Sequence, residues 1–294
     1  MLWAVFTLIA AAAQTARNAM QRELTATLGT VGATHVRFLF GFPFALLFLA
    51  GVLIVTGADL PHLPPVFWPW VFAGAFTQIA ATATMLAVMG QRSFVVAYAY
   101  IKTEPVHVAL FGLIFLGDKI TPIAAVAILL ATAGVIVISL KGGAGSEGSA
   151  RSTVIGLFSG ALFGLSAIGF RGAILSLNLT DFIVAATFTV TIGLVIQATV
   201  LSVYLLMRDR KVLQAIVRAW RPSLFAGFMG AFASEFWFLA FAITSAANVR
   251  TLALVEVLFA QGVTRFVFKQ PTTARESVGI VMVVIGVALL VWAH

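Results

Sequence analysis

Cysteine is missing from all 294 residues, which excludes disulfides and thiolate-bound metals. Charge is scarce: 10% of the residues are Asp, Glu, Lys or Arg, where a soluble domain holds about 25%. Ten acidic residues stand against eighteen basic ones, but the +8 excess is spread through short stretches between apolar runs and forms no basic stripe among aromatics. Nucleic acid is therefore not an expected partner. Enzyme signatures are also missing: there is no His-Glu-x-x-His, no Gly-x-Ser-x-Gly and no phosphate-binding loop, and the histidines at 35, 62, 107 and 294 lack ligand spacing. No enzyme, cofactor or metal site is expected. A channel filter and a short re-entrant half-span are absent too. No charged leader with a cleavage site precedes the first apolar segment, so that segment is expected to be retained.

What remains is grease. Hydrophobic residues make up 61% of the chain and the mean hydropathy is +1.08. A spanning helix needs roughly 20 apolar residues, and such runs fall near 2–20, 31–56, 66–90, 94–116, 121–140, 153–176, 181–207, 222–243, 247–269 and 274–293. The expected fold is an all-α membrane protein with ten transmembrane helices. A shift of 152 carries Glu104 onto Glu256, Gly41 onto Gly193, Phe76 onto Phe228, Ser93 onto Ser245 and Gly134-Val135 onto Gly286-Val287 without a gap. The chain thus reads as two five-helix repeats, 1–140 and 153–294, joined by a Gly/Ser-rich linker at 141–152. An odd number of spans per repeat makes the duplication inverted, with a site between the halves. Twelve basic residues lie in the odd-numbered loops (17–30, 91–93, 141–152, 208–221 and 269–275), Arg17 among them, and only Lys119 in the even ones. The positive-inside rule then puts the odd loops in the cytoplasm and both termini outside. Arg37, Arg171, Arg250 and Arg265 fall inside spans but near their ends, where snorkelling is expected; Lys102 is too central for that.

Polar residues form stripes on six of the spans, as a solute pathway requires. Thr7, Gln14 and Asn18 share a face of the first span, with mates Ser159, Ser166 and Phe170 in the sixth. In the third, Gln78, Thr82, Met85 and Met89 correspond to Gly230, Ser234, Trp237 and Phe241 in the eighth. In the fourth, Tyr100, Glu104, His107 and Phe111 correspond to Leu252, Glu256, Phe259 and Val263 in the ninth. An ion at bilayer depth costs about 2.5–3.5 kcal/mol or more, so Lys102, Glu104, Glu235 and Glu256 need partners, water or cargo. One arrangement gives Lys102 the carboxylate of an amino acid and Glu104 or Glu256 its ammonium; the other is a buried structural pair of Lys102 with Glu256 or Glu235. Candidate substrate contacts are Gln14, Gln78, Thr82, Tyr100, Lys102, Glu104, His107, Ser166, Ser234, Glu235, Trp237 and Glu256. Pro105 removes a backbone hydrogen bond beside Thr103-Glu104, which suits a helix facing a cavity.

The stretch from Thr103-Glu-Pro-Val-His to Gly117-Asp-Lys-Ile-Thr121, followed by Ala133-Gly134-Val135, resembles the fourth-to-fifth helix signature of the drug/metabolite transporter superfamily, EamA-like branch. His35-Val-Arg37-Phe38-Leu39 resembles the start of that family's second helix. The second copy keeps Gly286-Val287 but has Lys269-Gln-Pro-Thr272 in place of the acidic turn. The resemblance implies an alternating-access exporter of small metabolites in a bacterial inner membrane, amino acids first and YddG-like aromatic amino-acid exporters as the narrower expectation. Its partners would be the cargo and the lipid bilayer, with a monomer sufficing. Multidrug or organic cations, and phosphorylated or nucleotide sugars, are the alternative cargoes. Phosphate cargo demands clustered Arg/Lys at mid-depth, and only Lys102 is expected there.

Overall fold

The computed structural model describes residues 1–89, 100–139, 150–258 and 273–293. Ser93, most of the 141–152 linker, Phe259, Val263, Arg265, the 269–272 turn and His294 lie outside the described residues, as does the Met89 side chain. Every regular element among the described residues is helical. The main helices are α1 (Leu2–Leu39), α2 (Phe42–Thr56), α3 (Phe67–Met89), α4 (Glu104–Phe111, continued by a π turn Gly112–Leu116), α5 (Pro122–Ser139) and α6 (Ala150–Ser176). They are followed by α7 (Phe182–Arg208), α8 (Arg210–Arg218), α9 (Trp220–Ile243), α10 (Ala246–Leu252, continued by a 3₁₀ turn Ala253–Val255) and α11 (Ala274–Trp292).

Seven described stretches are long and apolar enough to cross a bilayer, one of them the 55-residue run Leu2–Thr56. That run is not one straight rod. Gly29 has φ +67° and ψ 176°, a conformation only glycine takes without strain. Beyond it the chain folds back until the Gln21 amide donates to the Ala33 carbonyl at 2.9 Å. In an unbroken helix those residues would stand about 18 Å apart. The first span was expected to end near residue 20; its helix instead continues through Leu28, because Gln21 and Leu24 are buried and propagate it. Arg17, expected in a loop, consequently lies inside the helix and is buried.

The outer surface is what a lipid solvent requires. Leu47, Ile54, Val55, Ile114, Met207 and Trp292 are all at least 60% exposed, an arrangement that water would penalise and acyl chains do not. Inside, α1 packs on α9, α3 on α6 and α5 on α11. Each crossing is made by glycines that bring backbones together. A Cβ on Gly227 would sit 2.4 Å from Phe40 Cβ, one on Gly169 2.5 Å from Gly74 N, one on Gly134 2.7 Å from the Gly279 carbonyl, and one on Gly286 2.7 Å from Ala131 N. Small residues take this role in membranes because dispersion packing replaces the hydrophobic effect.

The turn after α4 explains the Gly-Asp-Lys signature. Gly117 is left-handed (φ +66°), the Asp118 amide bonds back to the Gly112 carbonyl at 3.1 Å, and the Asp118 carboxylate takes both oxygens to Arg171 Nη1 at 2.7 and 2.9 Å. Arg171 Nε also donates to the Thr244 carbonyl at 3.0 Å. Arg171 therefore does not snorkel; it ties the α4 turn to α6 and to the end of α9.

Candidate functional site

A narrow cleft lies among α1, α3, α6, α9 and the segments carrying residues 101–104 and Arg250. Its wall includes Gln14, Arg17, Arg37, Gln78, Lys102, Glu104, Trp237 and Arg250. The helices break where they reach it. Lys102 and Thr103 form a turn before α4 restarts at Glu104 with Pro105 in its first turn, and Ala253–Val255 narrows to a 3₁₀ turn just ahead of Glu256. Broken helices turn backbone groups and short charged side chains toward a cavity, a geometry tolerated in membranes only where protein or water receives them.

Two ion pairs bridge these breaks. The Lys102 ammonium is paired with the Glu256 carboxylate, with side chains 12% and 8% exposed. Arg250 Nε stands 3.0 Å from Glu104 Oε1. The second contact is an ion pair without hydrogen-bond alignment, since neither of those atoms has a hydrogen-bond partner. Arg250 also lies over the Trp237 ring at 4.4 Å and near the Phe241 ring at 5.3 Å. The indole NH donates to Gln14 Oε1 at 3.2 Å, so one face and the polar edge of Trp237 are already engaged. Gln197 donates to Gln78 Oε1 at 2.8 Å.

Arg17 and Arg37, like Arg250, are charged cleft residues that sequence reasoning missed. Both are 2% exposed. Arg17 Nη2 donates to Asn18 Oδ1 at 2.7 Å, and Arg37 Nη1 reaches Thr82 Oγ1 at 3.4 Å. The stems of both pack on Gly230, where an added Cβ would lie 3.2 Å from Arg37 Cγ and 3.4 Å from Arg17 Cδ. Arg37 and Arg250 do not snorkel to a span end; they turn inward to the cleft. Gly230 held a signal for this, because it is the repeat mate of Gln78, and a glycine replacing a long polar residue makes room for another side chain.

The remaining candidates divide by position. Gln14, Gln78, Lys102, Glu104 and Trp237 line the cleft, while Thr82 and Glu256 meet it through Arg37 and Lys102. Tyr100, His107, Ser166, Ser234 and Glu235 are outside its wall. The Tyr100 carbonyl receives the Thr103 hydroxyl at 2.6 Å, and His107 Nδ1 lies 3.1 Å from the Thr103 carbonyl. Ser166 and Ser234 are buried in α6 and α9. Glu235 accepts from the Thr187 hydroxyl and borders an apolar groove between α2, α7 and α9. Among the described residues no group of three His, Asp or Glu could hold a metal ion.

A helical bundle with an apolar rim and helices of bilayer length is a multi-pass membrane protein. Residues 1–140 match the EamA-like transporter family, and the chain carries a domain of that family, consistent with the drug/metabolite transporter superfamily. Members of this family are membrane transporters of small molecules. The fold is also similar, over 99% of this chain and 95% of the other, to a solved crystal structure described only as that of a protein, with a TM-score of 0.71 and 12% identity. That likeness shows the fold alone. No protein of curated function matches the sequence.

Proposed function

We propose that the protein is an alternating-access carrier exporting small carboxylate-bearing metabolites, amino acids including aromatic ones first among them, across a bacterial inner membrane. The observation that carries this is the cleft itself: guanidinium and ammonium groups for a carboxylate, Glu104 for an amine and the Trp237–Phe163 wall for an apolar side chain, all contributed by helices from both ends of the chain. Lys102 is held by Glu256 in this conformation, so Arg37 becomes the first carboxylate contact and Glu104, released from Arg250, the ammonium contact.

The architecture we propose is ten spans in two inverted repeats, 1–140 and 153–294. Packing supports it. A twofold relating the halves exchanges α1 with α6 and α3 with α9, and the two dominant contacts of that set are α1 on α9 and α6 on α3, with α5 on its mate α11. The breaks before Glu104 and Glu256 are likewise 152 residues apart. With Arg17 moved into the cleft, the basic count of the odd-numbered loops falls from twelve to eleven against one, which still favours termini outside. Carrier behaviour is tested by counterflow: proteoliposomes loaded with an unlabelled solute should transiently concentrate its labelled form, which a channel or an enzyme does not do.

One alternative has gained support. Sugar phosphates lacked their cationic clamp while only Lys102 counted as central; Arg17, Arg37 and Arg250 supply it.

A further inference from the structure

On the face of α9 turned away from the cleft, an apolar groove of about 530 Å³ opens between α2, α7 and α9. Trp237 belongs to the cleft wall and Glu235 to the groove, and side chains two positions apart on a helix point about 200° from each other. The groove's walls are Phe48, Val52 and Val55 from α2, Ile183 from α7, and Phe232 and Phe236 from α9. Leu47 and Val55 are 66% and 85% exposed, so the groove opens onto the lipid-facing surface. Thr56 ends α2, Phe182 begins α7 and Ile243 ends α9. The groove runs back from those ends, and Glu235 lies about 12 Å inside the last of them.

Glu235 is the one ionisable side chain among the described residues that line this groove, and it is 9% exposed. Its Oε1 accepts from the Thr187 hydroxyl, whereas its Oε2 has no hydrogen-bond partner. A carboxyl half satisfied at that depth is costly, because neither lipid tails nor the phenylalanines beside it can donate to the free oxygen. The described lining brings no Lys, Arg or His to answer it. A tie from α9 to Thr187 would be made as well by a neutral amide. What the carboxyl adds is a place for a cation.

We propose that this groove is a second binding site, apart from the cargo cleft, for a compact lipophilic amine that enters from the bilayer. Its ammonium N–H donates to Glu235 Oε2, and its apolar body lies against Phe48, Val52, Phe232 and Phe236. The charge-assisted bond satisfies the free oxygen and leaves one neutral pair at membrane depth. A volume near 530 Å³ falls in the range of small-molecule sites, and aromatic walls suit an amine that carries rings. A free amino acid is a poor occupant, since its carboxylate would face Glu235 with no cation in the described lining. A lipid acyl chain would fill the groove but leave Oε2 unpaired. The site does not depend on the carrier reading, and its occupant is distinct from the cargo.

The test is equilibrium binding of tritiated imipramine, a tricyclic tertiary amine, to the wild-type protein in phosphatidylcholine nanodiscs, with empty nanodiscs measuring partition into lipid. One saturable site per protein is expected. Iminodibenzyl, the same tricycle without the basic side chain, should compete at least tenfold more weakly than unlabelled imipramine. Glu235→Gln, which keeps an acceptor for Thr187, should weaken binding tenfold or more. Gly51, on the groove wall, gives an independent variant: Gly51→Leu should weaken binding as much by filling the groove. It leaves the fold intact, because a Cβ there meets nothing within 4 Å and leucine outranks glycine in a helix. Trp237→Ala, in the cleft, should leave the affinity within twofold. Binding no greater than that of empty nanodiscs overturns the proposal, and so does a saturable site indifferent to Gly51→Leu, which must lie elsewhere. Equal competition by iminodibenzyl, or wild-type affinity in Glu235→Gln, reduces the groove to an apolar slot for lipid tails and refutes the amine. A tenfold loss in Trp237→Ala moves the amine to the cleft and refutes the second site.

Discussion

Lys102 and Glu256 provide the sharpest test of how the cleft is held together. They come from opposite halves of the chain, separated by 154 positions, and their side chains are 12% and 8% exposed. At that burial, removing one partner strands an ion in low dielectric, which costs about 3–5 kcal/mol, whereas removing both is near neutral. Residual exposure argues for the lower end, so Lys102→Met and Glu256→Gln should each destabilise the protein by about 3 kcal/mol. The double variant Lys102→Met/Glu256→Gln should recover most of that loss. A coupling free energy of at least about 2 kcal/mol is expected from the cycle, measured by reversible unfolding in mixed micelles or, as a ranking, by thermal midpoints of purified protein. Transport separates the two roles. If the pair only joins helices, the double variant should exchange solute nearly as wild type does. Additive losses, with coupling below about 0.5 kcal/mol, would show that the two side chains do not act on each other and would refute the pairing as a structural tie.

Further outcomes follow from other contacts. Asp118→Asn removes the carboxylate that takes both bonds from Arg171 Nη1; a loss of about 2–3 kcal/mol in stability is expected, and a thermal midpoint equal to wild type would show the turn is held otherwise. Glu235→Gln, outside the cleft, should leave the half-saturation for cargo within about twofold while weakening the Thr187 bond, at a cost of about 1 kcal/mol; a tenfold rise in half-saturation would bring Glu235 into the solute path. Trp237→Ala strips the indole from Gln14 and from beneath Arg250; it should impair aromatic cargo more than small polar cargo, and equal impairment would reduce Trp237 to a packing role. For orientation, a phosphatase fused after the C-terminus should be active and a galactosidase inactive, and the reverse result would invert the topology.

The all-helical membrane character was legible in the sequence because it rests on a repeating signal, apolar runs of bilayer length. Loss of register is what misled the reading of charge. A span ending at residue 20 left Arg17 in a loop, because Arg17, Arg22 and Glu23 look like an interface when taken in order. In space Arg22 and Glu23 are exposed and Arg17, five residues earlier, faces the cleft. Helical period separates them: residues 14, 17, 18 and 21 lie on one side, and Gln14, Arg17 and Asn18 line the cleft while Gln21 is buried against the returning chain. The stripe already noticed at Gln14 and Asn18 contained the arginine between them. Arg37 and Arg250 posed a harder problem, since proximity to a span end in sequence says nothing of which way a long side chain leans. Only the neighbour decides that. For Arg37 it is a glycine on another helix, Gly230, and for Arg250 an aromatic face, Trp237. Both are long-range facts, which position along the chain does not carry.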